Sequence, residues 1–214
     1  MQPCPLCAGD NTRHYHTDTR RTYYQCQRCS LVFVDEVARL GPDDEKAVYD
    51  QHRNVPDDMG YRRFLSRLAD PLLERLPQHA SDGLDFGSGP GTVLAMMLMQ
   101  AGYTMACYDP YYQPDRRVLE RQYDFITCTE AIEHFYQPSL AWQQWDTLLK
   151  PGGWLGVMTK LVTDQAAFSR WHYKNDPTHV SFFSRDTFEF LAAQSSLELE
   201  FVGNDVILMR KPLL

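Results

Sequence analysis

The run TCTEAIEHF, which begins at Thr127, holds two carboxylates and an imidazole at spacings of three and four residues: Glu130, Glu133 and His134. In a helix these spacings bring the three side chains to one face. Such a face can hold a divalent metal ion or share acid–base work. The alternative is a helix start, because Thr127 and Glu130 fit a capping box and acidic residues complement the helix dipole. The elements around the run have to decide between these interpretations.

Four of the six cysteines form two C-x2-C pairs, Cys4/Cys7 and Cys26/Cys29, separated by 18 residues. In a reducing compartment such pairs indicate a metal rather than disulfides, and two of them complete a tetrahedral zinc shell. A closed shell of four thiolates leaves no position for a substrate, so the zinc is structural. We expect a zinc ribbon over residues 1–40, built on a hairpin in HYHTDTRRTYYQC and a short strand in LVFV.

Residues 41–80 are predicted to form a helical connector. The first half is polar and rich in Asp and Pro, and its Tyr49, His52 and Asn54 are either solvated linker residues or residues that face a ligand. The second half, YRRFLSRLADPLLERL, has the apolar spacing of a helix that Pro71 kinks or divides.

From residue 81 to residue 214 the pattern alternates between strands and helices. GLDF, YTMACYD, DFITC and WLGVMTK are typical of strands, and VLAMMLMQAG is typical of a buried helix. Short connections between such elements predict an α/β fold with a Rossmann-like, mostly parallel sheet, whose ligands bind at the carboxyl ends of the strands.

A glycine-rich loop, DFGSGPG, follows the first of these strands and lets a ligand approach the backbone closely. Asp109 stands 18 residues after Gly91, at the end of the next strand, where an acid can accept the hydroxyls of a ribose. The spacing G-x-G-x-G, with Pro90 removing an amide, favours a cofactor without phosphates over a dinucleotide. A tight turn without ligand is the alternative, with Asp109 only ending its strand.

Four motifs in order, LDFGSGPGT, the acid of ACYDP, YDFITCTEAIEHF and LLKPGGWLGVMT, resemble the motif set of class I S-adenosylmethionine-dependent methyltransferases. The resemblance covers about residues 61–214 and implies that S-adenosylmethionine is the cofactor. It implies that Asp109 holds the ribose and that the backbone around Cys128 and Thr129 meets the methionine amino group. The methionine and ribose side of the cofactor would be lined by Asp85, Gly87, Gly89 and Gly91.

One segment departs from the family pattern. Only PYYQPDRRVLERQ separates Asp109 from Tyr123, which leaves room for a loop and a short strand such as RRVL but not for a full helix. We therefore expect a shallow adenine pocket.

The E-x-x-E-H spacing resembles the metal-binding run of ubiquinone-pathway O-methyltransferases and of small-RNA 3′-terminal 2′-O-methyltransferases. In the second group a downstream histidine completes the site, and of His172 and His179 we favour His179 because it leads directly into VSFF. Three interpretations stay open: Mg²⁺ or another divalent ion, a metal-free acid–base His134, and a purely structural role. The ligands of the ion would be Glu130, Glu133, His134 and His179.

The formal net charge of −7 argues against a nucleic-acid partner, and no apolar run has the length of a membrane helix. The chain opens with MQPCPLCAGD, which is not a signal segment, so we expect a cytoplasmic protein.

The sequence thus predicts a zinc ribbon followed by a methyltransferase domain that moves a methyl group from S-adenosylmethionine to an oxygen of a small molecule. The candidate catalytic residues are His134, Glu130 and His179. Sugar or other C-methylation stays an alternative because paired-CxxC modules also precede sugar C-methyltransferases. Two further alternatives are RNA methylation and a non-catalytic S-adenosylmethionine-binding module that uses the ribbon as a docking surface. The sequence leaves the oligomeric state open.

Overall fold

Within residues 2–51 and 55–213, which the computed structural model of the protein describes, the chain forms ten strands and six α-helices. The strands are β1 (Thr12–Thr17), β2 (Thr22–Cys26), β3 (Val32–Val34), β4 (Asp82–Phe86), β5 (Thr104–Tyr108), β6 (Tyr123–Thr129), β7 (Leu149–Met158), β8 (Ser181–Phe182), β9 (Glu198–Val202) and β10 (Val206–Arg210). The α-helices are α1 (Pro42–Tyr49), α2 (Met59–Arg75), α3 (Val93–Gln100), α4 (Pro138–Leu148), α5 (Gln165–Ser169) and α6 (Arg185–Ser195).

The larger sheet has the order β5-β4-β6-β7-β10-β9. Its first four strands are parallel, and β10 runs antiparallel to both of its neighbours. Alternate residues of β6 serve the two faces: Phe125 packs with α2 and α3, whereas Ile126 and Cys128 pack with α4 and α6. The sheet is therefore covered on both faces, and the predicted Rossmann-like, mostly parallel architecture is confirmed.

The chain between Asp109 and Tyr123 is short, as expected, but the predicted strand at RRVL is wrong. A 3-10 helix, Arg116–Glu120, lies there, because the Asp115 carboxylate accepts the Arg117 amide at 3.0 Å and starts a tight turn. In the larger sheet β5 is consequently the edge strand.

The smaller sheet has the order β1-β2-β3-β8 and is antiparallel throughout. The predicted hairpin and the short strand in LVFV are present as β1, β2 and β3. The fourth strand comes from far along the chain, since β8 pairs through Phe182 with Val32. Apolar residues of the N-terminal segment, Leu6 and Phe33 among them, belong to the same buried cluster as α4 and α6.

The connector contains a helix that the polar composition did not predict, α1. Gly41 precedes it, Pro42 stands in its first turn, and acidic residues follow, which are the ordinary features of a helix N-terminus. Helix α2 continues through Pro71, so this proline does not divide it. His52 and Asn54 lie outside the described residues. Of the helices in the described ranges, none is long and apolar enough to cross a membrane.

Candidate active site

A cavity of about 650 Å³ opens at the carboxyl ends of β4, β5 and β6. The glycine loop and Asp109 line one part of it, and Glu133, His134 and His179 line another. Helix α1 contributes Glu45 and Tyr49 to its wall. The glycine loop, the ribose acid and the histidines predicted from separate motifs therefore share one cavity.

Two glycines of the loop have backbones that other residues rarely adopt. Gly87 has φ +77°, and a Cβ atom added there would lie 2.6 Å from the Cβ of Ala131. Gly89 has φ +60°, and a Cβ there would meet open space. Gly91 directly precedes Thr92, the N-cap residue of α3, whose φ is +44°. Gly91 does not line the cavity. Gly87 and Gly89 thus let the backbone form the cavity wall.

Asp109 has both carboxylate oxygens engaged by backbone amides. Its Oδ2 accepts from Gly89 at 3.0 Å, and its Oδ1 accepts from Tyr111 and Tyr112 at 2.9 and 3.1 Å. Oδ1 is saturated by these two amides, whereas Oδ2 keeps a second lone pair, so the carboxylate can hold the loop and also accept from a ligand through Oδ2.

Asp85 is buried at the end of β4, where Thr127 Oγ1 donates to its Oδ1 at 2.8 Å. Burial raises the pKa of Asp85 to about 6, and the hydrogen bond from Thr127 opposes that shift. With Gly87 and Thr129 it lines a small neighbouring cavity. Cys128 is fully buried in the core, so its side chain does not reach the cavity.

Three polar atoms in the cavity wall are buried without a hydrogen-bond partner: Ser88 Oγ, Thr129 Oγ1 and Glu130 Oε1. A buried polar atom without a partner costs about 1–3 kcal/mol, so such atoms are few in folded proteins. Ser88 belongs to the glycine loop and Thr129 lines the same cavity, so these two residues fit a polar cofactor bound there.

The expected helix at TCTEAIEHF is wrong. Strand β6 runs to Thr129, Glu130 has the left-handed φ of +46°, and only a 3-10 turn, Ile132–His134, follows. The capping box is absent because Thr127 lies within the buried strand and its hydroxyl donates to Asp85. The two glutamates and His134 reach the cavity from a sharply turned loop, not from one helix face.

His134 and His179 lie with ring centroids 4.7 Å apart. The Nδ1 atom of His134 is 3.2 Å from the carbonyl of Thr178, and that of His179 is 2.7 Å from the carbonyl of Tyr173. Because a carbonyl only accepts, each Nδ1 carries the proton and each Nε2 keeps a free lone pair. The pKa of His179 is lowered to about 4, and burial of the ring is the largest cause. Both rings have the tautomer that a metal ligand or a general base needs.

Glu133 is 1% exposed and accepts hydrogen bonds from Thr159 Oγ1 at 2.9 Å and from the Tyr173 hydroxyl. Glu133, His134 and His179 offer ligand atoms within 4.8 Å of one another. Glu130 stands outside this group, and burial together with the charge of Glu133 raises the pKa of its carboxyl. One carboxylate and two imidazoles fit a divalent ion.

His172, the other histidine considered, is exposed and lies 3.4 Å from the Lys160 ammonium. It does not join the group around His179.

The four N-terminal cysteines converge as their spacing predicts. The Sγ atoms of Cys4 and Cys29 are 3.5 Å apart, as are those of Cys7 and Cys26, and all four lie within 4.8 Å. Four sulfurs about 2.3 Å from a tetrahedral zinc ion are about 3.8 Å apart, so the cluster fits zinc.

The two knuckles have the same backbone. Ala8 and Ser30, each directly after the second cysteine of a pair, are left-handed with φ +55° and +59°. Their amides donate to the carbonyls of Cys4 and Cys26 at 2.9 and 3.0 Å.

Sequence reasoning gave Tyr49 as a residue that either faces a ligand or lies in a solvated linker, and the structure places it in the cavity wall, but the reasoning missed Glu45 beside it. Glu45 is buried and accepts from the hydroxyls of Tyr49 and Tyr111 at 2.7 and 2.6 Å. The Tyr49 ring also lies edge-on to His134, with centroids 5.1 Å apart. Gly41 and Pro42 are features of a helix start and would have indicated α1. No local sequence pattern, however, indicates which parts of the fold α1 packs against.

The sheet order and the cavity at its carboxyl edge define a class I methyltransferase fold, and solved structures agree. The complex between the Haloferax volcanii Trm112 methyltransferase activator and a putative methyltransferase contains a chain similar with a TM-score of 0.54 at 13% identity, over 81% of this chain and all of that one. An O-methyltransferase family protein from Burkholderia thailandensis is similar with a TM-score of 0.53 at 15% identity, over 79% of this chain and 63% of that one.

A family model described as a methyltransferase domain matches residues 60–200, and the chain belongs to that family. A ubiquinone biosynthesis O-methyltransferase from Shewanella pealeana is 32% identical over 77 residues, which cover 36% of this chain and 33% of the relative. The chain thus spans about a third of the length of the curated relatives it matches.

Proposed function

We propose that the protein transfers the methyl group of S-adenosylmethionine to an oxygen atom of a small molecule. One observation carries the proposal: a single cavity is lined both by the glycine loop with Asp109 and by the pair His134 and His179. Similarity to ubiquinone biosynthesis O-methyltransferases supports oxygen as the acceptor atom.

Asp109, Gly87 and Gly89 keep the roles that the family resemblance implies. Asp109 would accept from the ribose hydroxyls, while the backbones of Gly87 and Gly89 form the wall beside it. Ser88 Oγ and Thr129 Oγ1, buried without partners, would bond the polar groups of the methionine moiety. Asp85, Gly91 and Cys128 do not line the main cavity, so we propose no direct cofactor contact for their side chains. Bound there, S-adenosylmethionine would supply a methyl group already activated on its sulfonium.

His134 is the proposed general base. Its Nδ1 proton is fixed on the carbonyl of Thr178, so its Nε2 lone pair is free for the acceptor hydroxyl. His179 lies against the same ring and has the same tautomer, and Glu133 is fixed by Thr159 and Tyr173. The unpartnered Oε1 of Glu130 faces the same cavity. These side chains would orient the acceptor and receive its proton.

The same residues would hold a divalent ion such as Mg²⁺. Glu133, His134 and His179 supply the ligand atoms, with Glu130 beside them. An ion bound there would lower the pKa of an acceptor hydroxyl. The structural zinc of the four cysteines would have no such role, since its shell is closed.

The charges of the cavity favour a neutral or cationic acceptor. Among the described residues that line it there are five acids, Glu45, Asp109, Glu130, Glu133 and Asp176, and neither a lysine nor an arginine. Without a bound divalent ion, a phosphate or carboxylate brought into this wall would meet like charges and no cationic side chain, which is costly in a partly buried site. RNA and nucleotide-linked sugars are therefore disfavoured as acceptors.

We keep residues 1–40, 41–80 and 81–214 as proposed structural units.

A matched acceptor series tests this function. The protein is incubated with S-adenosylmethionine and with alcohols and phenols that share a scaffold but carry no charge, an ammonium or a carboxylate, and formation of S-adenosylhomocysteine is measured. We expect turnover with neutral or ammonium members and none with carboxylates. Preferred turnover of the carboxylates would overturn the acceptor assignment, and cofactor binding without turnover of any member would favour a binding module.

A further inference from the structure

The segment that carries His179, residues 174–182, packs against the N-terminal ribbon. Directly after His179, the carbonyl of Val180 accepts from the Val34 amide at 3.0 Å, while the Val180 amide donates to the carbonyl of Glu133 at 2.9 Å. Strand β8 then pairs with β3 through Phe33 and Ser181. The backbone after His179 is thus fixed between the ribbon and the turn that bears Glu133.

The backbone before His179 is held by one ribbon side chain, Arg21. This arginine, only 8% exposed, lies directly before β2, in the hairpin turn. Its guanidinium donates to four carbonyls of the segment, those of Lys174, Asp176, Pro177 and His179, the last at 2.8 Å. Its Nε donates to the Tyr23 hydroxyl at 3.2 Å.

Such a contact set requires arginine. A guanidinium has five N–H donors in a rigid plane, whereas a lysine ammonium has three on a single atom. Four carbonyls at different positions of one loop can be served by the first and not by the second. The buried charge is compensated by these carbonyl dipoles, so the loop has to keep its present shape around Arg21.

An ion pair fixes the beginning of the same segment. Lys174 is 5% exposed and lies 2.8 Å from Asp18, in the turn between β1 and β2. Burial works to raise the pKa of Asp18, but hydrogen bonds from Lys174 and from the amides of Arg20 and Arg21 outweigh it, so the pKa is well below its usual range. The turn of the ribbon hairpin therefore holds the segment at two points.

We infer that Arg21 is a positioning residue for His179, so that the ribbon forms part of the active site instead of a separate docking module. The inference rests on the proposed function for its kinetic consequence. His179 owes its ring direction and tautomer to the Nδ1 hydrogen bond with the carbonyl of Tyr173, which is the residue before the clamped segment. When the segment shifts, that hydrogen bond and the position of Nε2 shift with it.

The test compares Arg21→Lys with Arg13→Lys, the same change at an exposed arginine of the same hairpin. Nitrogen-15 spectra of the imidazole rings report which nitrogen carries the proton, and they need neither cofactor nor acceptor. We expect His179 to show the Nδ1–H tautomer in the wild type and in Arg13→Lys, and a mixture of tautomers in Arg21→Lys. With an acceptor present, kcat of Arg21→Lys should fall by about 10²-fold, while the Kd for S-adenosylmethionine stays within about twofold.

An unchanged His179 spectrum and an unchanged kcat in folded Arg21→Lys would overturn the inference. Should Arg21→Lys not fold, Asp18→Asn, which weakens the pair with Lys174, takes its place with the same readouts. A wild type without methyl transfer would refute the proposed function alone, because the spectra test the positioning independently. Changed spectra would then still support the role of Arg21, and unchanged ones would refute it too.

Discussion

Arg21 donates a 2.8 Å hydrogen bond to the carbonyl of His179, 158 residues further along the chain. The contact joins the hairpin turn of the ribbon, between β1 and β2, to a histidine of the cavity. Zinc bound by the four cysteines would stabilise the other end of that hairpin, where Cys26 pairs with Thr12. Metal content, hairpin position and the geometry at His179 are therefore expected to change together.

Removal of the ribbon zinc should destabilise the whole protein. Cys26→Ser deletes one of four ligands in a cluster whose residues also belong to the main core. A loss of about 3 kcal/mol would lower Tm by about 10 °C in a domain of this size. Elemental analysis should find one zinc per chain in the wild type and less in the variant. Cys107→Ser, outside the cluster, is the control, and an equal loss of zinc in that variant would contradict the assignment.

His134→Ala should separate catalysis from cofactor binding. Loss of a general base lowers kcat by about 10²–10⁴-fold, while the Kd for S-adenosylmethionine should stay within about twofold because the glycine loop and Asp109 are untouched. Turnover and calorimetric titration are measured on the same preparation. His172→Ala, at an exposed histidine, should behave like the wild type. Full turnover in His134→Ala would remove this residue from the mechanism.

Asp85 should make stability depend on pH in a defined direction. Its pKa is about 6 in the folded protein against 3.8 as the reference, so between these values the folded state holds more protons than the unfolded state. Stability from this group therefore falls as pH rises from about 4 to about 6, by roughly 3 kcal/mol in total. Asp85→Asn lacks the effect. The free energy of unfolding in urea is measured at pH 5 and pH 7.5, and that of Asp85→Asn relative to the wild type should be higher at pH 7.5. The same difference between the two proteins at both pH values would refute the assignment.

Helix α1 should loosen when its bond to the Asp109 loop is removed. Tyr111→Phe deletes the 2.6 Å hydrogen bond to buried Glu45, worth about 1 kcal/mol at this half-buried site. Amide hydrogen exchange over residues 42–49 should then become about fivefold faster. Tyr112→Phe removes a bond to exposed Asp50 and should have a smaller effect. Equal exchange in Tyr111→Phe and the wild type would show that Glu45 does not hold the helix.

Local patterns were sufficient for the glycine loop, the strands around it and the cysteine knuckles, because strand alternation and C-x2-C spacing are decided by nearby residues. They failed at TCTEAIEHF, where the parallel pairing of β6 extends the strand to Thr129 and turns the Thr127 hydroxyl towards Asp85. They also failed at RRVL, where the Asp115 side chain starts a turn.

The contacts of Arg21 had no signal in the sequence. An arginine in a polar hairpin is ordinarily exposed, and its burial depends on a segment more than 150 residues away. The same holds for Glu45, whose phenol partner Tyr111 comes from the Asp109 loop. Such long-range contacts follow from the packed fold and not from spacing.

Calorimetric titration with S-adenosylmethionine shows directly whether the cavity binds this cofactor. We expect saturable binding of one molecule per chain, and a Kd about 10-fold or more weaker in Asp109→Ala, because the ribose would lose a charged hydrogen-bond partner. Asp115→Ala, an exposed acid six residues further on, should bind like the wild type. Absence of binding by the folded, zinc-loaded wild type at millimolar S-adenosylmethionine would show that the protein is not a methyltransferase that uses this cofactor.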